Sequence, residues 1–260
     1  MNILDQIIAA KKLEIELRKK VVPIAQLEKS ALFERPTFSL SQSVRNGSGI
    51  IAEHKRRSPS KGTINHSFSV AEITSGYENA GVSGISVLTD TQYFGGSFDD
   101  LLLARASVNI PLLRKEFMID PYQIIEAKSF GADAILLIAA VLSPGEIQQY
   151  SQLAQSLKLE VLLEVHDEAE LERAITPEIS LIGVNNRNLK TFEVNLQTSK
   201  HLASKIPSEF IKVSESGIST IDSIKELQRF GFQGFLIGEN FMKTDNPGVS
   251  AQQFIKQLQP

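Results

Sequence analysis

The sequence predicts an α/β protein, a closed (β/α)8 (TIM) barrel with an N-terminal helical extension. Three observations support it. Eight short runs rich in Val, Ile and Leu recur along the chain, and each is followed by a longer stretch with helical spacing. Several runs are apolar on consecutive positions, as Ile135-Leu136-Leu137-Ile138 and Val161-Leu162-Leu163 are, the pattern of strands buried on both faces of a parallel sheet. Eight strand–helix units close most economically into a barrel of about 250 residues, and the chain has 260. An open doubly wound sheet is the alternative, but it would leave edge strands, and no run is polar enough to be one. A single domain spanning residues 1–260 follows.

Taken in order, residues 1–45 hold a helix near Ile3–Lys19 and a second helical stretch near Ser39–Val44. They are too few for a separate domain. They are expected to pack on the barrel and border its mouth, where Ile3, Leu4, Ile7 and Ile8 find a buried partner. The barrel strands are predicted at Gly49–Lys55, Gly84–Asp90, Pro111–Glu116, Ala134–Val141, Glu160–Val165, Leu181–Asn186, Phe210–Glu215 and Gly234–Gly238. Helix starts are marked by Ser69, by Asp120-Pro121, by Ser143-Pro144, by Asp167 with Glu170 three residues on, and by Ser219 with Asp222.

Composition narrows the function classes. The chain is 42% hydrophobic and 22% charged, with Lys+Arg 27 against Asp+Glu 30 and a formal net charge of −3. No global positive field draws it to nucleic acid or to an anionic membrane. The absence of cysteine excludes a disulfide framework, a thiolate nucleophile and a zinc-thiolate site. Asp5 precedes the apolar residues of the N-terminus, unlike a signal peptide, and runs such as Ala134–Leu142 fall short of the roughly 20 residues a membrane span needs. A cytoplasmic protein, monomeric or weakly homo-oligomeric, is expected.

In a parallel barrel the C-terminal strand ends converge on one mouth, so polar residues there are candidates for catalysis. Strand one ends Glu53-His54-Lys55-Arg56-Arg57-Ser58-Pro59-Ser60 and strand three Arg114-Lys115-Glu116-Phe117; strand five ends Glu164-Val165-His166, strand six Asn185-Asn186-Arg187-Asn188 and strand seven Ser214-Glu215-Ser216-Gly217. Period-two alternation puts Glu53 and Lys55 on one face of their strand, and separates Lys115 from Arg114 and Glu116. An inward Lys115 would then face Glu164. Each charge alone could be a solvated strand end. Convergence of two lysines, three carboxylates and an asparagine is costly unless the group binds something.

A second constellation follows strands seven and eight, where Ser216-Gly217-Ile218-Ser219 opens a helix and Ile237-Gly238-Glu239-Asn240 continues the chain. Small residues there let backbone N–H groups approach an anion, the usual phosphate site of such barrels. Ser216, Gly217, Gly238 and Glu239 are candidate contacts, with Lys55 and Ser58 completing the cradle; Gly217 and Gly238 are also compatible with plain turn glycines. The expected partner is a small phosphorylated molecule.

The segment Glu53 to Ser60 resembles the E-x-K-x-x-S-P-S signature of the indole-3-glycerol phosphate synthase family. The similarity continues through Tyr93-Phe94-Gly95-Gly96-Ser97, Leu113 to Phe117, Leu163 to His166, Gly183 to Leu189, Ser214 to Ile218 and Leu236 to Glu239, and so covers essentially the whole chain. Asn240-Phe241 departs from the small or aliphatic residues usual there, and His54 fills a variable slot.

The resemblance implies an enzyme of tryptophan biosynthesis that converts 1-(2-carboxyphenylamino)-1-deoxyribulose 5-phosphate to indole-3-glycerol phosphate, carbon dioxide and water. It implies Lys115 as the acid that protonates the carbonyl, its pKa lowered by the neighbouring Lys55, and Glu53 as the group that orients both ammoniums. Glu164 becomes the second acid/base, protonated part of the time beside Glu53 and Glu215. Asn185 and Glu215 would bind sugar hydroxyls or the anilino nitrogen; Arg187 would take the substrate carboxylate or brace a mouth carboxylate. Phe94, Phe117, Leu136, Leu189 and Leu236 stand where an apolar slot for the ring could form, or else pack the core. No cofactor is required, because the substrate nitrogen drives ring closure. His54, His66, His166 and His201 are scattered without ligand spacing, so no metal is expected and a surface or strand-end role is the default. A phosphoribosyl isomerase would share the phosphate site without needing the strand-one signature, and a binding-only barrel would tolerate loss of Lys115 or Glu164.

Overall fold

A computed structural model describes residues 2–59, 62–64, 68–188 and 191–258. Its centre is a closed barrel of eight parallel strands: β1 (Ile50–His54), β2 (Gly84–Leu88), β3 (Leu112–Lys115), β4 (Ala134–Ile138), β5 (Glu160–Val165), β6 (Leu181–Asn185), β7 (Ile211–Glu215) and β8 (Gly234–Ile237). Each strand pairs with its sequence neighbours, and β1 closes the ring by pairing with both β2 and β8. All eight predicted runs are strands, and the open-sheet alternative is excluded because no barrel strand has a free edge.

Two apolar layers follow from the alternation of side chains along each strand. Ile51, Leu113, Leu136, Leu162, Leu181, Ile211, Val213 and Leu236 fill the inside of the barrel. A larger layer lies between the strands and the surrounding helices, with Ile85, Val87, Ile135, Leu137, Val161, Leu163 and Phe235 facing outward. Phe241, one of the two residues that depart from the family pattern, is fully buried there; its ring packs on Tyr77 and Phe254 at centroid distances of 6.1 and 5.5 Å. Among the described residues no helix is long and apolar enough to cross a membrane.

The N-terminal extension divides between the two ends of the barrel. Helix α1 (Ile3–Val21) starts at a capping box in which Asn2 and Asp5 exchange hydrogen bonds, and Arg18, Lys19 and Lys20 complement its C-terminal dipole. Arg18 Nε donates to Glu126 at 2.7 Å and Lys19 pairs with Asp120, fixing α1 to the helix Pro121–Ser129. A short unpredicted helix, α2 (Ile24–Leu27), follows. Helix α3 (Leu40–Asn46), capped by Ser39, does not border the mouth. Leu40 and Val44 enter the interior layer beside Gly84 and Gly234, the first residues of β2 and β8, so α3 plugs the opposite, N-terminal end. The expectation that all of residues 1–45 line the mouth is thus corrected: only the start of α1 does.

The predicted caps at Ser69, Asp120, Ser143 and Asp167 each accept a hydrogen bond from the first helical turn. Ser219 does not. Thr220 caps the helix Ile221–Arg229 by accepting from Ser223 N, because the turn after β7 takes up one residue more than the sequence pattern suggested.

Outside the strands, buried charges tie the layers together. Asp133 is fully buried and accepts from Arg35 at 2.6 Å, Arg105 at 2.8 Å and the backbone N–H groups of Phe38 and Leu112 at 2.9 and 2.8 Å. This one carboxylate joins the segment before α3, the helix Phe98–Ser107 and the start of β3. Removing a partner from a buried pair leaves uncompensated charge, at a cost of about 3–5 kcal/mol. Asp133→Ala is therefore expected to lower the free energy of unfolding by that order in urea titration, without altering the residues of the mouth. A loss under about 1 kcal/mol would show that the guanidiniums find other partners.

Candidate active site

At the C-terminal end of the barrel the strand ends and the first turn of α1 enclose a cavity of about 610 Å³. The alternation of β1 turns Glu53 inward, and Lys55, just past the strand, turns back so that its Nζ meets Glu53 Oε1 at 2.5 Å. On β3, Lys115 points inward while Arg114 points into the helix layer and donates to Gln123 O at 2.7 Å and Thr89 Oγ1 at 3.1 Å. Lys115 Nζ pairs with Glu215, and lies 3.4 Å from Glu164 Oε2. Asn185 Nδ2 donates to Glu164 Oε1 at 3.1 Å, and Asn185 Oδ1 accepts from Arg187 N at 3.0 Å. The six residues expected to carry chemistry, Glu53, Lys55, Lys115, Glu164, Asn185 and Glu215, all line this one cavity.

Two glycines make room for the carboxylates. A Cβ on Gly183 would lie 2.1 Å from Glu215 Oε1, and one on Gly238 would lie 2.6 Å from Glu53 Oε1. Gly183 on β6 pairs with Val213, two residues before Glu215 on β7, a role that its place inside a strand could have signalled, since an interior strand glycine often marks a close approach. Asn186 was also missed as a positioning group. Its buried amide donates to Ser214 Oγ, Glu215 O and Ser216 O and accepts from Ser199, so it pins the end of β7.

The electrostatics differ from expectation in two respects. Burial alone would push the Lys115 ammonium down, but Glu215, Glu164 and Glu53 outweigh it and hold the group above the ordinary lysine range. The expected lowering by Lys55 is thus corrected, and the Lys55 ammonium is itself paired with Glu53. The expected part-protonated Glu164 is also corrected: burial raises it, yet Lys115, His166 and Asn185 together hold it below the usual carboxylate range. Glu53 is likewise held low, burial being outweighed by Lys55 and Lys115. The proton goes instead to Glu215, pushed up to about 7 by burial and by repulsion from Glu164 and Glu53, in spite of Lys115. Two ammoniums cannot keep three buried carboxylates charged, and Glu215 has a buried Oε1 with no hydrogen-bond partner where a proton can sit.

The apolar residues Phe94, Phe117, Leu136 and Leu236 line the cavity, with the Phe94 and Phe117 rings 6.0 Å apart. Leu136 and Leu236 belong to the barrel interior as well, so packing and cavity wall are the same surface. Leu189 lies outside the described residues, as do Ser60 and His66. Past β7, Ser216 and Gly217 both have positive φ, 67° and 78°. With Ser58, Gly238 and Glu239, the first residue of the short helix Glu239–Met242, they line the cavity. Lys243 and Asn240 line it as well. Arg187 is at the rim, its guanidinium donating to Phe192 O at 3.2 Å.

The histidines divide by position. His54 is buried at the end of β1 with neither ring nitrogen partnered, and burial and Arg56 push it down to about 4, so it is neutral packing. His201 is exposed. His166 sits behind the cluster, its Nδ1 3.3 Å from Glu170 Oε2 and its Nε2 3.6 Å from Glu164 Oε1. Among the described residues no group of three or more His, Cys, Asp or Glu is arranged to hold a metal ion.

Comparison with known proteins gives one consistent result. Residues 4–258 match the family described as indole-3-glycerol phosphate synthase. The chain is 46% identical over 259 residues to the indole-3-glycerol phosphate synthase of Bacteroides thetaiotaomicron, covering 99% of each chain, and 45% identical to that of Verminephrobacter eiseniae, covering 96% of this chain and 97% of the other. Among solved structures it is similar in fold to a thiamine phosphate pyrophosphorylase from Pyrococcus furiosus, at TM-score 0.62, 12% identity and coverage of 85% and 100%. A KGPDC from Streptococcus mutans aligns at TM-score 0.60 with 15% identity, over 81% of this chain and 98% of that one.

The charge imbalance has a consequence for stability. Folding lets Glu215 hold its proton up to about 7, above the ordinary glutamate value of 4.5. The folded state binds the extra proton in that window, so this contribution is fully present below it and is lost as pH rises through it, by up to about 1.4 kcal/mol per pH unit. Glu53 and Glu164, held low, act oppositely and lose their contribution only as pH falls below the ordinary range. Urea unfolding of Glu215→Gln at about pH 5 and about pH 7.5 should show a smaller drop between the two than the parent protein does. Parallel curves for the two proteins would mean that Glu215 is ionised throughout.

Proposed function

The chain belongs to the indole-3-glycerol phosphate synthase family, an enzyme family of the carboxy-lyase class in tryptophan biosynthesis, and we propose how its barrel mouth closes the indole ring of 1-(2-carboxyphenylamino)-1-deoxyribulose 5-phosphate. The observation that carries the proposal is the Lys115 ammonium held between Glu164 and Glu215 in a cavity that Ser216, Gly217 and Gly238 line together with Phe94 and Phe117.

The phosphate enters the cradle of Ser216, Gly217 and Gly238, where backbone N–H groups and a helix start suit an anion, with Ser58, Glu239 and Lys55 around it. The ring lies against Phe94, Phe117, Leu136 and Leu236, folded over the ketone so that the carboxylate-bearing carbon can attack. As that bond forms, the ketone oxygen takes a proton from Lys115. A fully charged ammonium suits this step, since the developing alkoxide is the stronger base. Loss of carbon dioxide returns the electron pair to the ring. The new hydroxyl then leaves as water, aided by a proton from the carboxyl pair. Glu215, pushed up to about 7, carries one part of the time at neutral pH, and Glu164, charged and oriented by Asn185, takes up the proton released in rearomatisation. Glu53 keeps Lys55 aimed, and Arg187 at the rim meets the substrate carboxylate.

No cofactor enters this scheme. The charge of −3 supports a small-molecule partner rather than nucleic acid. The chain acts as one domain over residues 1–260, with residues 1–45 as its extension, and as a cytoplasmic monomer or weak homo-oligomer.

Three measurements test these roles. Supplied with the anilino-ribulose phosphate, the protein should develop indole fluorescence, and none would end the proposal. Lys115→Ala should slow turnover about 100-fold or more while substrate still binds; near-parental turnover with weakened binding would make Lys115 an anion contact and move the acid to Lys55. Crystals grown in sulfate should hold an anion at Ser216, Gly217 and Gly238, and side chains filling that place would remove the cradle.

A further inference from the structure

Helix α1 carries a lysine where its buried stripe calls for an apolar residue. Ile7, Lys11 and Ile15 follow one another at four-residue spacing, and all three are buried, Lys11 to 2% exposure. Its ammonium does not reach water. It lies 3.0 Å from Asp90 Oδ2, 3.2 Å from Glu116 Oε1 and 2.8 Å from Glu14 Oε2.

Each of the two buried carboxylates has a second task. Asp90, just past β2, accepts from the backbone N–H groups of Tyr93 and Phe94 at 2.7 and 3.2 Å and so caps the turn that carries the Phe94 ring. Glu116, next to Lys115, accepts from Phe117 N at 2.9 Å and from Thr89 Oγ1 at 2.8 Å, and also faces Arg114 at 3.8 Å. One ammonium therefore joins two short chains of contacts that end on the backbone N–H groups of Phe94 and Phe117, the two residues whose rings line the cavity. We infer that Lys11 is a positioning residue for the aromatic part of the substrate: through Asp90 and Glu116 it sets the spacing of Phe94 and Phe117, and hence the slot for the ring. The inference rests on the proposed function above and deepens it.

The charge is permanent. Burial would push the Lys11 ammonium down, but Glu116, Asp90 and Glu14 hold it above the ordinary lysine range. Without it, two carboxylates buried close together would lose their shared cation, and such a site relaxes by moving its loops or by taking up a proton. Either change reaches Phe94 and Phe117, whereas the phosphate cradle after β7 and β8 has no part in these contacts.

The test separates positioning from plain stability. Lys11→Met keeps the stem and removes the charge, and Lys11→Arg restores it. Two probes are titrated: the unreactive alcohol made by reducing the substrate ketone, which keeps the ring, and ribulose 5-phosphate, which lacks it. Lys11→Met should weaken the alcohol and raise KM by about 10-fold or more, with kcat falling less, while ribulose 5-phosphate binds within about twofold of the parent; Lys11→Arg should recover most of the loss. Equal weakening of both probes, or of neither, overturns the inference. If Lys11→Met does not fold, Asp90→Asn takes its place, since it keeps the cap and removes the ion pair. The same ring-selective loss is expected, and unchanged alcohol affinity overturns the inference. A parent protein that neither turns over substrate nor binds the alcohol would instead refute the proposed function, a distinguishable result.

Discussion

The ammonium of Lys115 among three buried carboxylates is the constraint on which the rest of the mouth depends. A charge taken out of water must be paired and hydrogen-bonded, and here pairing is achieved only because β1, β3, β5 and β7 all end at one height with the correct parity. A slip of one residue in β3 would turn Lys115 into the helix layer and bring Arg114 inward. Gly183 and Gly238 belong to the same requirement, since any side chain at either position would occupy the space of Glu215 or Glu53.

The excess of carboxylate over ammonium sets the protonation states of the cluster. Were the charges balanced, every group would be locked in one protonation state. With one carboxylate too many, a proton resides on Glu215 near neutrality while Glu164 and Glu53 stay charged, so an acid and a base coexist a few ångströms apart. The lysine is then not an acid of weakened affinity. In the proposed mechanism it is a fixed positive charge that gives up a proton only to a strongly basic oxygen, and the neighbouring carboxyls supply the mobile protons.

A second ring of buried charge lies outside the strands, facing the helices. Arg114, Glu126, Asp133, Arg105 and Lys11 are all largely buried, and each is paired. These pairs fix the helices against the barrel at set heights, so the extension serves two ends at once: α3 plugs the bottom with Leu40 and Val44, while α1 brings Ile3, Leu4 and Ile7 to the cavity. Stability and site geometry thus share one network.

The sequence by itself determined the eight strands, their closure and the residues gathered at the mouth. Apolar runs at a regular spacing have few ways to bury themselves, and alternation settles which strand-end charges face inward. It also brought Ser216, Gly217 and Gly238 to the mouth, because they stand at fixed points of that topology. What it could not determine were quantities that depend on distances between strands. The place of the mobile proton moved from Glu164 to Glu215, since a proton's location follows from the sum of all nearby charges and the burial of each. Helix α3 went to the far end of the barrel, since an amphipathic stretch states that it will be buried but not where. Lys11 was invisible for the same reason: a lone lysine in an apolar stripe reads as a flaw until the tertiary structure brings Asp90 and Glu116, about 80 and 100 residues away in the chain, to meet its charge.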